Sequence, residues 1–310
     1  MTSLASSLDD ALAALRAGKL VILPTETVYG LAADAGNAAA VAALYEAKGR
    51  PSFNPLIAHV ADLAAAEEIA VLDDRARALA EAFWPGPLTL VCPVREGAGV
   101  SDLARAGLDT VAVRAPAHPL AQALLMAFGG PVVAPSANRS GRPSPTRYED
   151  ALEETGAAAA AALDGGPCDV GLESTVVACL GGQVRLLRPG GLERAAIEAV
   201  VGPLLEAEAD AKRTPGRLTL HYAPNAPVRL DVIEPRPGEA FLAFGISAPG
   251  PNVFNLSQTR DIPEAAANLF AFLRAADRTA PTAIAVAPIP NQGLGEAIND
   301  RLRRAAGLIG

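Results

Sequence analysis

Short apolar runs alternate with helix-period segments along almost the whole 310-residue chain, and one stretch breaks the rhythm. Residues 20–23, 55–60, 88–94, 110–114 and 131–134 are short apolar runs of strand length. Between them, residues 37–48, 75–83 and 120–128 carry helical spacing. Ser7 is placed to cap a first helix with Leu8, Leu12 and Leu15 on one face, ended by Gly18. Asn37 caps the next, which stops at Gly49 and Pro51. Residues 173–180 and 184–188, joined through Gly181-Gly182, predict a β-hairpin, and a helix over 192–201 closes this unit. Residues 202–226 are rich in Pro, Gly and charge without apolar period, which predicts a linker. Beyond it, strands near 228–232, 240–244, 253–256 and 283–286 alternate with helices near 262–278 and 296–306. The whole reads as α/β: a domain over 1–201, a linker over 202–226, and a small Rossmann-like domain over 227–310. The alanine run over 157–162 reads as compositional bias.

Half the residues are apolar and 19% are charged, a globular balance with ample core for two domains. No apolar run approaches the roughly 20 residues that span a bilayer. Residues 1–17 carry Asp9 and Asp10 and lack a basic segment before an apolar one, so they predict a helix rather than a secretion signal. A cytoplasmic protein is expected. Cys92, Cys168 and Cys179 stand far apart, as do His59, His118 and His221, so no metal-ligand spacing is present. The net charge of −8 disfavours broad nucleic-acid binding.

Lysine is scarce: three (Lys19, Lys48, Lys212) stand against twenty-three arginines. Lys48-Gly49-Arg50 ends a helix, and Ser136-Ala137-Asn138 follows an apolar run; two cations beside a tight turn and a Ser/Asn loop suit phosphates. Each also has a plain structural role. Lys48 and Arg50 could complement a helix C-terminus, Ser136 and Asn138 could serve a turn, and His59 could be a satisfied core residue. Thr25, Glu26 and Thr27 could satisfy backbone groups at a strand end, and Arg114 could reach solvent from one. There is no Gly-x-x-x-x-Gly-Lys-[Ser/Thr] loop, and Gly293-x-Gly295 lacks the rest of a dinucleotide fingerprint.

The ordered set is more specific than its parts. Residues 24–31 (Pro-Thr-Glu-Thr-Val-Tyr-Gly-Leu), Lys48-x-Arg50, Trp84-Pro85-Gly86-Pro87-Leu88-Thr89, Val113-Arg114, Pro135-Ser136-Ala137-Asn138 and Glu173-Ser174-Thr175 resemble the Sua5/YrdC/YciO family. His221-Tyr222-Ala223-Pro224 and Asn299-x-Arg301-Leu302 resemble its two-domain Sua5 form. The resemblance implies a YrdC-like domain with a twisted mixed sheet around a cavity, followed by the Rossmann-like Sua5 domain. It implies a nucleotidyltransferase that joins L-threonine, bicarbonate or CO2, and ATP into threonylcarbamoyl-adenylate and diphosphate. That product feeds t6A modification at position 37 of tRNA through a downstream transferase machinery. By resemblance Lys48 and Arg50 are catalytic and, with Asn54, line the phosphates. Thr110, Ser136, Asn138, Ser144, Arg188 and Tyr222 match nucleotide positions. Thr27, His59, Arg114, Ala134 and Ser174 match those that hold threonine. Mg2+ is expected on the phosphates without direct protein ligands, and the linker is expected to act as a lid. Two other readings stay open on the residues alone: an RNA-binding protein without catalysis, and a different carbamoyl-adenylate enzyme such as a hydrogenase-maturation carbamoyltransferase domain.

Overall fold

The computed structural model describes residues 5–207 and 221–308. The middle of the predicted linker, residues 208–220, lies outside the described residues.

The first unit runs α1 (Leu8–Arg16), β1 (Leu20–Leu23), β2 (Gly30–Asp34), α2 (Ala38–Lys48), β3 (Ile57–His59), α3 (Leu63–Glu67) and α4 (Asp74–Phe83). It continues through β4 (Leu88–Pro93), β5 (Thr110–Arg114), α5 (Pro119–Phe128), β6 (Val132–Val133), α6 (Tyr148–Thr155) and β7 (Ala159–Ala162). The hairpin β8 (Thr175–Leu180) and β9 (Gln183–Arg188), then α7 (Arg194–Val201) and β10 (Leu205–Glu206), complete it. The second unit is β11 (Val228–Arg229), β12 (Ala240–Ala243), β13 (Val253–Asn255), α8 (Ile262–Arg278), β14 (Ile284–Val286) and α9 (Gly295–Ala305).

The local signals act as expected where they are strong. Ser7 closes a capping box with Asp10, and Asn37 accepts from the backbone N–H of Ala39 and Ala40. Gly49 turns left-handed (φ 57°) and ends α2, which leaves Lys48 buried and swings Arg50 off the helix axis. Other elements carry no clear local signal, among them α3, α6 and β7. The alanine run holds β7, which pairs parallel with β1 through Ala161 and Ala162. Alanine carries little strand preference of its own; the sheet edge and the close approach of α1 decide the matter.

Ten strands form one mixed sheet in the order β10-β9-β8-β4-β5-β3-β6-β2-β1-β7. Both faces are covered, which explains why β1 is apolar throughout. Leu20 and Ile22 join one core beside α2 and α4, while Val21 and Leu23 join another beside α1 and α5. Four parallel strands form the second sheet, β11-β14-β12-β13. Ala240, Leu242, Ile284 and Val286 pack with α8 and α9, while Phe241, Ala243 and Ala285 point to the opposite face. Val28, Leu172 and Tyr222 join the α8/α9 core, so apolar packing is shared across the two units.

Candidate active site

The large sheet brings distant strand ends to one place. His59 ends β3 and Arg114 ends β5, and the two are register partners. Ala134 follows β6, Ser174 precedes β8, and Arg188 ends β9. With Thr27, Arg50, Ser136 and Tyr222 these residues line one cavity. Lys48, Asn54, Thr110, Asn138 and Ser144 are buried but do not form its wall. Thr110 begins β5 opposite Pro93.

One wall is organised around Arg114. Its Nε donates to Gly86 O at 3.1 Å, Nη1 to Thr27 Oγ1 at 2.9 Å, and Nη2 to Glu26 Oε1 at 2.6 Å. Three partners on two segments, Glu26-Thr27 and Gly86, fix the guanidinium plane, ready for a carboxylate to dock. Thr25 does serve the backbone: its hydroxyl bonds to Val28 O and accepts from Val28 N. His59 is neutral here, held down to about 3 by burial and by the charge of Arg114, with Nδ1 3.2 Å from Ile57 O.

Two further cations, Arg50 and Arg188, line the same cavity. Arg50 reaches back to the carbonyls of Asn54 and Pro55, and burial draws it down to about 10. Arg188 Nη2 donates to Ser174 O at 2.8 Å, and Ser174 Oγ lies 2.7 Å from Thr89 Oγ1. Lys48 donates through Nζ to the carbonyls of Ser136 and Asn138, so its ammonium clamps the loop that carries both. Burial, with Arg50 nearby, pulls Lys48 well below the ordinary lysine value. Several buried polar atoms here have no hydrogen-bond partner: Asn54 Oδ1, Asn138 Oδ1, Arg188 Nε and His221 Nδ1. Two of the four, on Arg188 and His221, belong to residues of the cavity wall, where unpaired polar atoms suit a ligand.

Three residues at this site were not singled out by sequence reasoning. Glu173 is a buried carboxylate on the cavity wall. Ser144 donates to its Oε1, and Arg301 from α9 donates Nε to its Oε2 at 2.8 Å. Burial pushes Glu173 upward, but Arg301 and Arg188 outweigh it and hold the carboxyl below its usual range. Arg301 also donates to Asp300 and Pro189 O, and its guanidinium carbon stands 5.2 Å from the centre of the Tyr222 ring. His221, beside Tyr222, lies on the wall as well. The signal for Glu173 and Arg301 was their place inside motifs already noted, next to Ser174 and within Asn299-x-Arg301.

Tyr222 fills much of the space. Its backbone is left-handed (φ 62°), and its ring packs 5.4 Å from Phe270 and 4.0 Å from His221. What remains open measures about 60 Å³. Ala223 N–H donates to Gly141 O at 2.8 Å, which pins this end of the linker to the Ser/Asn loop.

Comparison with known proteins places this geometry. A family model described as "Telomere recombination" (Sua5, YciO, YrdC) matches residues 13–190. A second, "Threonylcarbamoyl-AMP synthase, C-terminal domain", matches residues 192–307 and so takes in α7 and the linker. The threonylcarbamoyl-AMP synthase of Bacillus subtilis is 40% identical, over 96% of this chain and 92% of its own length. The crystal structure of Pyrococcus abyssi Sua5 complexed with L-threonine superposes with a TM-score of 0.90 at 40% identity, covering 97% of this chain and 94% of that one. Escherichia coli YciO, at 20% identity and a TM-score of 0.52 over 59% of this chain, shares the fold of the first unit. The chain therefore belongs to the Sua5/YrdC/YciO family, in its two-domain Sua5 form.

Proposed function

We propose that this chain makes threonylcarbamoyl-adenylate and diphosphate from L-threonine, bicarbonate or CO2, and ATP. The observation that carries this reading is one cavity that gathers Arg114, Thr27 and His59 together with Arg50, Ser136 and Arg188. Arg114 receives the threonine carboxylate, and Ser174, Ala134 and His59 orient the rest. A neutral His59 adds no second positive charge beside the amine; threonine reacts as its free amine, its ammonium proton having passed to solvent, and with CO2 as donor the proton lost on N–C bond formation goes to solvent as well. The amine nitrogen bonds to carbon to form a carbamate, with loss of water when bicarbonate is the donor. A carbamate oxygen then attacks the α-phosphorus, and diphosphate leaves with the electron pair of the broken P–O bond.

Charge grows on phosphate oxygens during that step, so fixed cations supply much of the rate. Arg50 and Arg188 are aimed at it from the wall, and Lys48 acts through the loop it clamps. Asn54, Thr110, Asn138 and Ser144 shape the nucleotide side from behind. Mg2+ would enter with ATP, as part of the substrate, and neutralise charge on its phosphates.

A 60 Å³ opening is far below the roughly 300 Å³ or more of a small-molecule site. Tyr222 and His221 therefore swing out for ATP to bind, and a closure over the bound adenylate, wider than the one described, shields the mixed anhydride from water. No described helix is long and apolar enough to cross a membrane. With tRNA as the final acceptor, the reaction belongs in the cytoplasm, and the product passes to the enzyme that modifies position 37.

The test is diphosphate release from ATP and bicarbonate, with and without L-threonine. Wild type should require threonine, while Lys48→Ala and Ser136→Ala should each lose at least about 100-fold, the scale of one lost oxyanion-type contact. Threonine-independent turnover overturns the substrate assignment.

A further inference from the structure

The four-stranded sheet carries a second concave site that this reaction does not use. β13, β12 and β14 lie side by side, all parallel. The chain passes from β12 to β13, then returns through α8 to β14 on the other side of β12. β12 and β14 thus flank the point where strand order reverses, and open parallel sheets bind ligands outside the carboxyl ends of such a pair.

A cavity of about 610 Å³ opens there. Its wall comes from the residues that follow those strands: Phe244 and Ile246 after β12, Ala287 and Pro288 after β14. The size falls within the roughly 300–1,000 Å³ of small-molecule sites. A wider groove of about 980 Å³ continues past the end of β13 and shares Ile246, Ser247 and Arg260 with it. Both are mainly apolar, and neither contains a carboxylate.

Arg260 is their one cation. It makes no hydrogen bond or ion pair with another described residue. The neighbouring carboxylate, Asp261, is already engaged as the cap of α8, accepting from Glu264 N. The backbone of Arg260 is left-handed (φ 63°), a conformation that disfavours a side chain. Gly245 lies against the guanidinium: a Cβ there would stand 2.6 Å from Arg260 Nε. Gly245 is itself left-handed (φ 97°), and with no side chain there the arm of Arg260 packs against it while lining both cavities.

We propose that this crevice is a second small-molecule site, for a ligand with a compact apolar or aromatic body and one anionic group, carboxylate or phosphate. The body rests on Phe244, Ile246 and Pro288, and the anion sits on Arg260. Specificity comes from the pairing of the two, since the lining offers few other polar groups.

Titration of the full-length chain with anilinonaphthalene sulfonate tests this by fluorescence, because that probe has an aromatic body and one anion. Saturable binding at one site per chain is expected. Arg260→Gln should weaken it about tenfold, the scale of one charge-assisted contact, while leaving the uncharged analogue phenylnaphthylamine unchanged. Ser247→Trp, which fills the shared floor, should abolish binding of both. Wild-type melting temperatures for both variants establish that the fold is intact. Displacement by naphthyl phosphate marks the ligand anion as a phosphate, and displacement by naphthoate marks it as a carboxylate. Failure of both to displace the probe overturns the proposal. So does probe affinity within twofold of wild type in both variants, or equal loss of the charged and uncharged probes in Arg260→Gln. None of these readings depends on threonine or ATP turnover.

Discussion

Two buried arginine–carboxylate pairs flank the active cavity, and they are built in opposite senses. In Arg114–Glu26 (2.6 Å) the cation lines the cavity and the carboxylate stands behind it. In Arg301–Glu173 (2.8 Å) the carboxylate lines the cavity and the cation stands behind. The first presents positive charge to the cavity. The second cancels a negative charge on the cavity wall, and it draws its cation from α9 of the other unit. On the proposed assignment, the threonine side is complete within the large-sheet unit, while the nucleotide side takes a neutralising charge from the second.

Removing the first cation should do the most damage. Arg114→Ala leaves Glu26 buried and unpaired, and breaking a buried pair costs about 3–5 kcal/mol. Denaturant unfolding should show that loss, and the double variant with Glu26→Gln should recover most of the stability but not the diphosphate release. Recovery of activity as well would break the assignment of Arg114 to substrate.

The mirror pair should give a different signature. Arg301→Gln frees Glu173 to compete for Arg188, so KM for ATP should rise about tenfold or more while KM for threonine stays within about twofold. Adding Glu173→Gln should restore the ATP KM. Equal rises for both substrates would show that the second unit only supports the fold.

The smallest expected effect is a pH dependence of linker opening. His221 is pressed down from 6.5 to about 3 by burial; Glu173 favours its proton, while Arg50, Arg301 and Arg188 oppose it. A histidine held below its ordinary value gains its proton only in the opened form. Closure is thus at full strength above about pH 6.5 and weakens as the pH falls toward 3. Exchange of the Ala223 amide, corrected for its intrinsic rate, should rise by up to about tenfold per unit of acidification. His221→Gln should flatten that slope; an unchanged slope would assign it to another group.

Local chemistry made much of this legible. Ser7, Asn37 and Gly49 set α1 and α2 through hydrogen bonds and backbone freedom that neighbours in sequence supply. The ordered motifs named the family and most of the cavity wall. The alanine run was opaque, because β7 exists through its pairing with β1 and not through any preference of alanine. Lys48 was legible as a residue to examine but not in its contacts, which are carbonyls of a loop far away in sequence.

By itself the sequence determined an α/β chain in two units, the ends of α1 and α2, and the residue types available to the cavity. Only the tertiary structure decided which charges face the cavity and which stand behind. That choice depends on strand order, which sets His59 beside Arg114, and on the docking of α9, which buries Arg301 against Glu173 and Tyr222. Charge pairing across such contacts is a property of three-dimensional distance and desolvation, and no spacing along the chain encodes it.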